Sequence, residues 1–377
     1  MQPPENDRFT AADLTEVLRA AAPEVRHLGL RDGDGSAHSG EPRAVRSRVR
    51  DALGAPLDFP PVVDATVPGD RIALAADPNV PGLSSVLQAC VEILGRRTGQ
   101  PPDVVLWREA TSRQIAALKQ TLGDTAEVHR HAPDDRSQLS YLAADAAANP
   151  IYLHRILVDA DFVLPIIASR RMDRSAGQDP TGLFPHFADS DSRRRFLESA
   201  SGSAAAEDPL EVDWLLGIQV MVSVCADAEG MPGAVRAGTP ARIQAETAGE
   251  GSTGGEPAAM VVASLDGDAT QQTWANATRA ISAARRHVTA GGTIVLWSAI
   301  ADPPPDDWAA TIDDVLAEHR VLAHSRIDRD TIEGLSLGFV EGRDELRRLG
   351  AGYPHIGLLR AAQFAGTTLQ PESVADG

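Results

Sequence analysis

Four groups of side chains have the types and spacing to do chemistry. Arg170, Arg171 and Arg174, with Asp173 among them, follow directly on an apolar run at residues 162–167. In an open α/β sheet the carboxyl ends of the strands line the ligand crevice. Arginines there can clamp a carboxylate or a phosphate through paired N–H donors; the alternative is a solvated charge run on a loop. Arg108 stands in the same relation to residues 104–107. A pocket shared by these arginines would focus small anions. The second group is His186, set between Phe184 and Phe187. It reads as a partly buried structural histidine or, beside a carboxylate, as a proton shuttle. Asp77 and Asp173 are the carboxylates that the sequence sets at strand ends. The third group is His129-x-His131, followed by Asp134-Asp135. Alternate residues on a strand share a face, so both imidazoles could reach one metal. At a strand end, with two acids in a turn, solvated or capping side chains are the plainer reading, and no metal is expected. The fourth is a single residue: Lys119 is the only lysine. Any mechanism that needs a lysine has that one candidate.

Gly249-Glu250-Gly251-Ser252-Thr253-Gly254 matches G-x-G-x-x-G literally. The dinucleotide fingerprint needs a strand before it and a helix after it. Here a polar segment precedes and a strand follows, so the stretch reads as a linker. The missing fingerprint counts against an unrelated nucleotide-binding α/β protein.

These residues need a scaffold, and 377 residues suffice for two or three domains. With 43% hydrophobic and only 4% aromatic residues, the core must be mostly aliphatic. The net charge of −18 disfavours general nucleic-acid binding and anionic membrane surfaces. No apolar stretch reaches the length of a membrane span and no signal peptide is evident, so a cytoplasmic protein is expected. Cys90 and Cys225 both sit in apolar runs and suggest no disulfide framework.

Strands at 71–76, 104–107, 126–129 and 162–167 alternate with helices at 83–97, 112–122 and 151–158, which predicts an α/β domain with a largely parallel sheet. Residues 189–199 read as a helix and 214–224 as β-structure. Residues 246–257 are the linker, and a second αβ unit follows. Its strand at 260–264, helix at 271–287 and strand at 293–297 are joined by Gly291-Gly292, read as the helix cap. A helix at 308–319 and a last strand at 355–362 complete the chain. The predicted domains are 1–245, with 335–377 as a segment that could return to it, and 258–334.

Several segments together resemble the nickel-pincer lactate racemase family. They are Pro68-Gly69-Asp70-Arg71-Ile72-Ala73-Leu74, the helix after Pro81, the stretch from Asn149 to Ile166, most specific over Pro150 to Ile166, and the unit from Gln271 to Trp297. The resemblance implies two α/β domains around a cleft, and racemisation or epimerisation of a 2-hydroxy acid. It implies a nickel-pincer nucleotide tethered to a lysine, a metal-bound histidine, and two further histidines that move the hydroxyl proton. Asn276 and Arg279 fall where the family carries polar and cationic residues facing the cleft.

The chain departs from that pattern. At Asp77-Pro78-Asn79-Val80-Pro81 the family's aspartate is present and its arginine is gone. Trp107-Arg108-Glu109-Ala110-Thr111 stands in place of the turn carrying the first catalytic histidine. Residues 169–185 contain neither the second histidine nor the tethering lysine, and no histidine lies near Leu197, where the metal ligand would fall. No cofactor is therefore expected. Two readings follow: a divergent isomerase acting by another route, with His186, Asp77 and Asp173 as candidate catalytic groups, or a non-catalytic relative that binds a small carboxylate, another small anion or a protein partner through arginines.

Overall fold

The computed structural model describes residues 11–28, 41–145, 147–169, 181–200, 209–248, 256–306 and 308–365. These fall into two compact units: one within Ser36–Ala226 and Pro232–Gly249, the other within Met1–Gly35, Asp227–Met231 and Glu250–Gly366. The chain opens in the second of these with α1 (Ala11–Arg19) and β1 (Glu24–Leu28).

The larger unit then forms from α2 (Pro42–Gly54), β2 (Ile72–Ala76), α3 (Leu83–Thr98), β3 (Asp103–Leu106), α4 (Ser112–Leu122) and β4 (Glu127–Arg130). A hairpin follows, β5 (Leu139–Ala144) with β6 (Pro150–His154), then α5 (Arg155–Asp159) and β7 (Phe162–Ala168). It ends with α6 (Ser190–Ala200), α7 (Pro209–Leu215), β8 (Met221–Ala226), β9 (Pro232–Gly238) and α8 (Pro240–Ala248). Every residue of β2 is buried, as a parallel strand covered on both faces requires. The boundaries of α4 are local chemistry. The Thr111 hydroxyl accepts from the Gln114 N–H while the Gln114 side chain accepts from the Thr111 N–H, a reciprocal cap. Strand order is β4-β3-β2-β7-β8-β9, parallel except for β9. Winding goes one way from β2 and the other way from β7, so the switch point lies at their carboxyl ends.

The second unit adds β10 (Ala258–Ser264), α9 (Trp274–Arg285), β11 (Val288–Trp297), α10 (Asp313–Glu318), β12 (Arg320–His324), α11 (Arg329–Gly334), β13 (Gly338–Phe339), α12 (Arg343–Gly350) and β14 (His355–Leu359). Its sheet is wholly parallel, in the order β1-β14-β10-β11-β12-β13. No described helix is long and apolar enough to cross a membrane.

Several elements differ from the sequence expectation. Residues 24–28, expected in the first domain, pair with β14, and β14 pairs with β10 rather than returning to the first sheet. Gly357 permits this close fit: a Cβ there would stand 2.4 Å from Leu28 and 3.2 Å from Val261. Residues 151–158 divide into β6 and α5, because residues 150–154 find a strand partner in β5 and the helix starts only after His154. Residues 214–224 begin as helix: Pro209 stands at the first position of α7, where its missing N–H costs nothing. Trp214 is 77% exposed, which a buried strand would not allow. Gly291-Gly292 is not a helix cap, since α9 already ends at Arg285. The pair lies inside β11, at the register shift opposite β10, with Gly291 at φ +70°. The G-x-G-x-x-G stretch at 249–254 lies outside the described residues.

Candidate functional site

The carboxyl ends of β2, β3 and β7 carry the polar groups of the larger unit's switch point. Asp77 follows β2 and is fully buried. One carboxylate oxygen accepts the Asn79 N–H at 2.8 Å and the Asn79 side-chain amide at 3.0 Å. The other accepts the Ala168 N–H at 3.2 Å, and the Asp77 N–H itself donates to the Ile166 carbonyl. Asp77 thus ties the end of β2 to the end of β7. Buried carboxylates need such donors, and this one has three of them from the fold itself.

Trp107 follows β3 and is 1% exposed. His186 stacks on its face, with ring centroids 3.6 Å apart and planes within 5°. The indole N–H donates to the Gly182 carbonyl at 2.8 Å. Gly182 has φ +73°, and a Cβ there would come within 2.8 Å of both Trp107 and Ile167. Only glycine suits that turn. The sequence suggests Phe184 and Phe187 as packing partners of the histidine. Phe184 meets Phe196 edge-on, and Phe187 meets His131. His186 is held as a buried aromatic layer.

Two further histidines complete this end of the sheet. His131 is 2% exposed and donates from Nε2 to the Ala188 carbonyl at 2.9 Å. Burial pushes its pKa down to about 4, and the charges of Arg108 and Arg193 add to the effect. His154, the last residue of β6, accepts the Ile156 N–H on Nδ1 at 3.3 Å, so its proton sits on Nε2. Burial likewise pushes it down to about 4, followed by the nearby His131 and His129. The two rings lie 5.7 Å apart. Both are neutral at pH 7.

The His-x-His pair is divided between two environments. His129 is half-buried and faces Asp103 at 3.1 Å and Glu127 at 3.6 Å, three donors within 4.8 Å of one another. His131 belongs to the Ala188 contact instead. Arg108 is exposed just beyond β3, close enough to act on His131. Arg170, Arg171, Asp173 and Arg174 lie outside the described residues. Lys119 is in the last turn of α4, about two turns from the helix start at the strands' carboxyl ends.

In the second unit, Asn276 and Arg279 share the first turns of α9. Asn276 is fully buried; its amide N–H donates to the Gln271 carbonyl at 2.8 Å, and its oxygen accepts from Arg279 at 3.1 Å. Arg279 is 6% exposed. Four residues were not among the candidates the sequence offered: Asn79, His154, and Thr181 and Asp213, which share a buried hydrogen bond of 2.7 Å. Only Asn79 had a local signal, an Asx-type spacing two residues after Asp77.

Neither a protein-family model nor a curated protein sequence matches the chain. Solved structures do. The lactate racemase apoprotein from Thermoanaerobacterium thermosaccharolyticum superposes with a TM-score of 0.66, over 92% of this chain and 95% of that one. The fold is lactate-racemase-like. Sequence identity to that protein is 12%. A Thermotoga maritima protein solved by a structural genomics consortium is also similar, with a TM-score of 0.56, 12% identity, and coverage of 80% of this chain and 92% of that one. At such identities the likeness concerns the fold, so the chemistry must be argued from this chain's own residues.

Proposed function

We propose that this chain is a lactate-racemase-like protein that binds a small 2-hydroxy carboxylate without the nickel-pincer route. The observation that carries the reading is the engagement of the groups at the switch point. Asp77 accepts three N–H donors within the fold, and His186 is stacked on Trp107. This reading takes both as structural groups and assigns neither a proton-shuttle role. The pincer does not fit the residues present: its tether requires a lysine amine, and the single lysine stands late in α4. Arg108, beyond β3, supplies a cation suited to a carboxylate, and the sequence adds three arginines after β7.

Two measurements test this. Produced together with the pincer-biosynthesis proteins, the chain should have the intact mass of the polypeptide and carry substoichiometric nickel. An added mass on Lys119 with stoichiometric nickel would overturn the reading. Second, lactate should bind in a salt-sensitive manner. Arg108→Ala should weaken it by about 1–3 kcal/mol, the range for charge-assisted hydrogen bonds. Binding indifferent to Arg108 and to salt would exclude an arginine-held carboxylate.

A second reading, an isomerase with altered groups, draws on His131, a neutral imidazole near Arg108. A pKa of about 4 makes it a weak base. Loss of optical rotation from L-lactate, abolished by His131→Gln, would favour that reading over simple binding.

A further inference from the structure

The larger unit holds a groove of about 640 Å³ beside the edge strand β4. That volume belongs to the class of small-molecule sites. Residues of α4, of β4, of the turn before β5 and of the β6–α5 junction line it. Its fixed charges are all positive: Lys119, Arg130 and Arg155, with no aspartate or glutamate among the lining residues. None of the three cations forms an ion pair with a described carboxylate. Arg130 and Arg155 make only long hydrogen bonds to backbone carbonyls, at 3.4 and 3.3 Å. Of the acids nearby, Asp103 and Glu127 are turned to His129, and Asp135 accepts from Ser137 and Gln138. In a chain of net charge −18, three unpaired cations on one groove make a local positive field.

Two buried polar atoms add an independent observation. His154 lines the groove and is 3% exposed. Its Nδ1 is used by the Ile156 N–H, and its Nε2 has no acceptor among the described residues. Gln138, also lining the groove, has a buried side-chain oxygen with no donor among the described residues. Native folds rarely leave such atoms unsatisfied. Ile115, Val128 and Ile156 supply an uncharged face beside them. The geometry points to a binding site for a small organic phosphate ester, up to the size of a mononucleotide. The two guanidinium groups and the ammonium would hold the phosphate dianion. The apolar face would cover the organic body, and His154 and Gln138 would meet its polar substituents. The groove borders the histidine cluster at the sheet's end, with His154 common to both, and the proposal does not rest on the carboxylate reading.

Lys119 gives a clean test, because its amine and the chain's α-amino group are the only primary amines. Pyridoxal 5′-phosphate is the probe: its aldehyde condenses with the amine, water leaves, and borohydride reduces the imine to a stable secondary amine located by peptide mass. Pyridoxal, the same aldehyde without phosphate, is the control. Lys119 should be labelled at concentrations at least tenfold lower by the phosphorylated aldehyde than by pyridoxal. AMP should protect it better than inorganic phosphate does. Arg155→Ala should bring the two aldehydes to parity while labelling of the α-amino group stays unchanged. Equal labelling of Lys119 by both aldehydes in the unsubstituted chain would overturn the proposal, as would absence of protection by AMP. Protection by phosphate equal to that by AMP would overturn the organic-ester assignment.

Discussion

Trp107→Ala is expected to lower the stability of the larger unit by about 3–5 kcal/mol, the range for emptying a buried aromatic site. The indole is 1% exposed and packs within a cluster that includes Ala73, Ala75, Val105 and Phe187. Its removal also strips the stacking face from His186 and the donor from the Gly182 carbonyl. Trp107→Phe keeps a ring but not the N–H, and should cost about 1–3 kcal/mol through the carbonyl left unpaired. Gly182→Ala should be destabilising as well, since its Cβ would press on Trp107 and Ile167 from a left-handed backbone. Urea unfolding of the three variants measures this. A loss below about 1 kcal/mol for Trp107→Ala would mean that the Trp107–His186 layer does not form, because surface substitutions typically stay within ±0.5 kcal/mol.

Acid should weaken the fold well before its carboxylates are protonated. His131 and His154 have folded pKa values of about 4 against an ordinary value of 6.5, so the fold favours their neutral forms. Their contribution is fully present above the unfolded value. It is lost as pH falls from about 6.5 towards 4, because the unfolded chain takes up protons that the folded chain refuses. A displacement of that size corresponds to about 3 kcal/mol for each histidine. Urea midpoints measured from pH 7.5 to 4.5 should fall steeply below pH 6.5. His131→Gln, which keeps an N–H for the Ala188 carbonyl, should reduce the slope by about one proton, or 1.4 kcal/mol per pH unit. Stability that stays flat from pH 7 to 5 would contradict the burial of both imidazoles.

The sequence by itself determined what depends on near neighbours. The uninterrupted apolar residues of β2 and β7 mark strands buried on both faces. Thr111 and Gln114 set the start of α4 within one turn. That the chain has a single lysine is read with no coordinates needed. Asp77 was legible as a carboxylate at a strand end, but its three donors were not, since one of them comes from Ala168, 91 residues away. Tertiary structure alone decided which sheet receives β1 and β14, because a strand's partners are set by matching buried faces, and several strands offer such faces. It also decided that residues 150–154 are strand: a short apolar run suits helix or strand until β5 pairs with it. The same holds for both sites. Trp107 reaches Gly182 across 75 residues, and the groove gathers α4, β4 and the β6–α5 junction. Spacing along the chain records local periodicity, whereas a site is made by packing that brings distant segments within hydrogen-bonding reach.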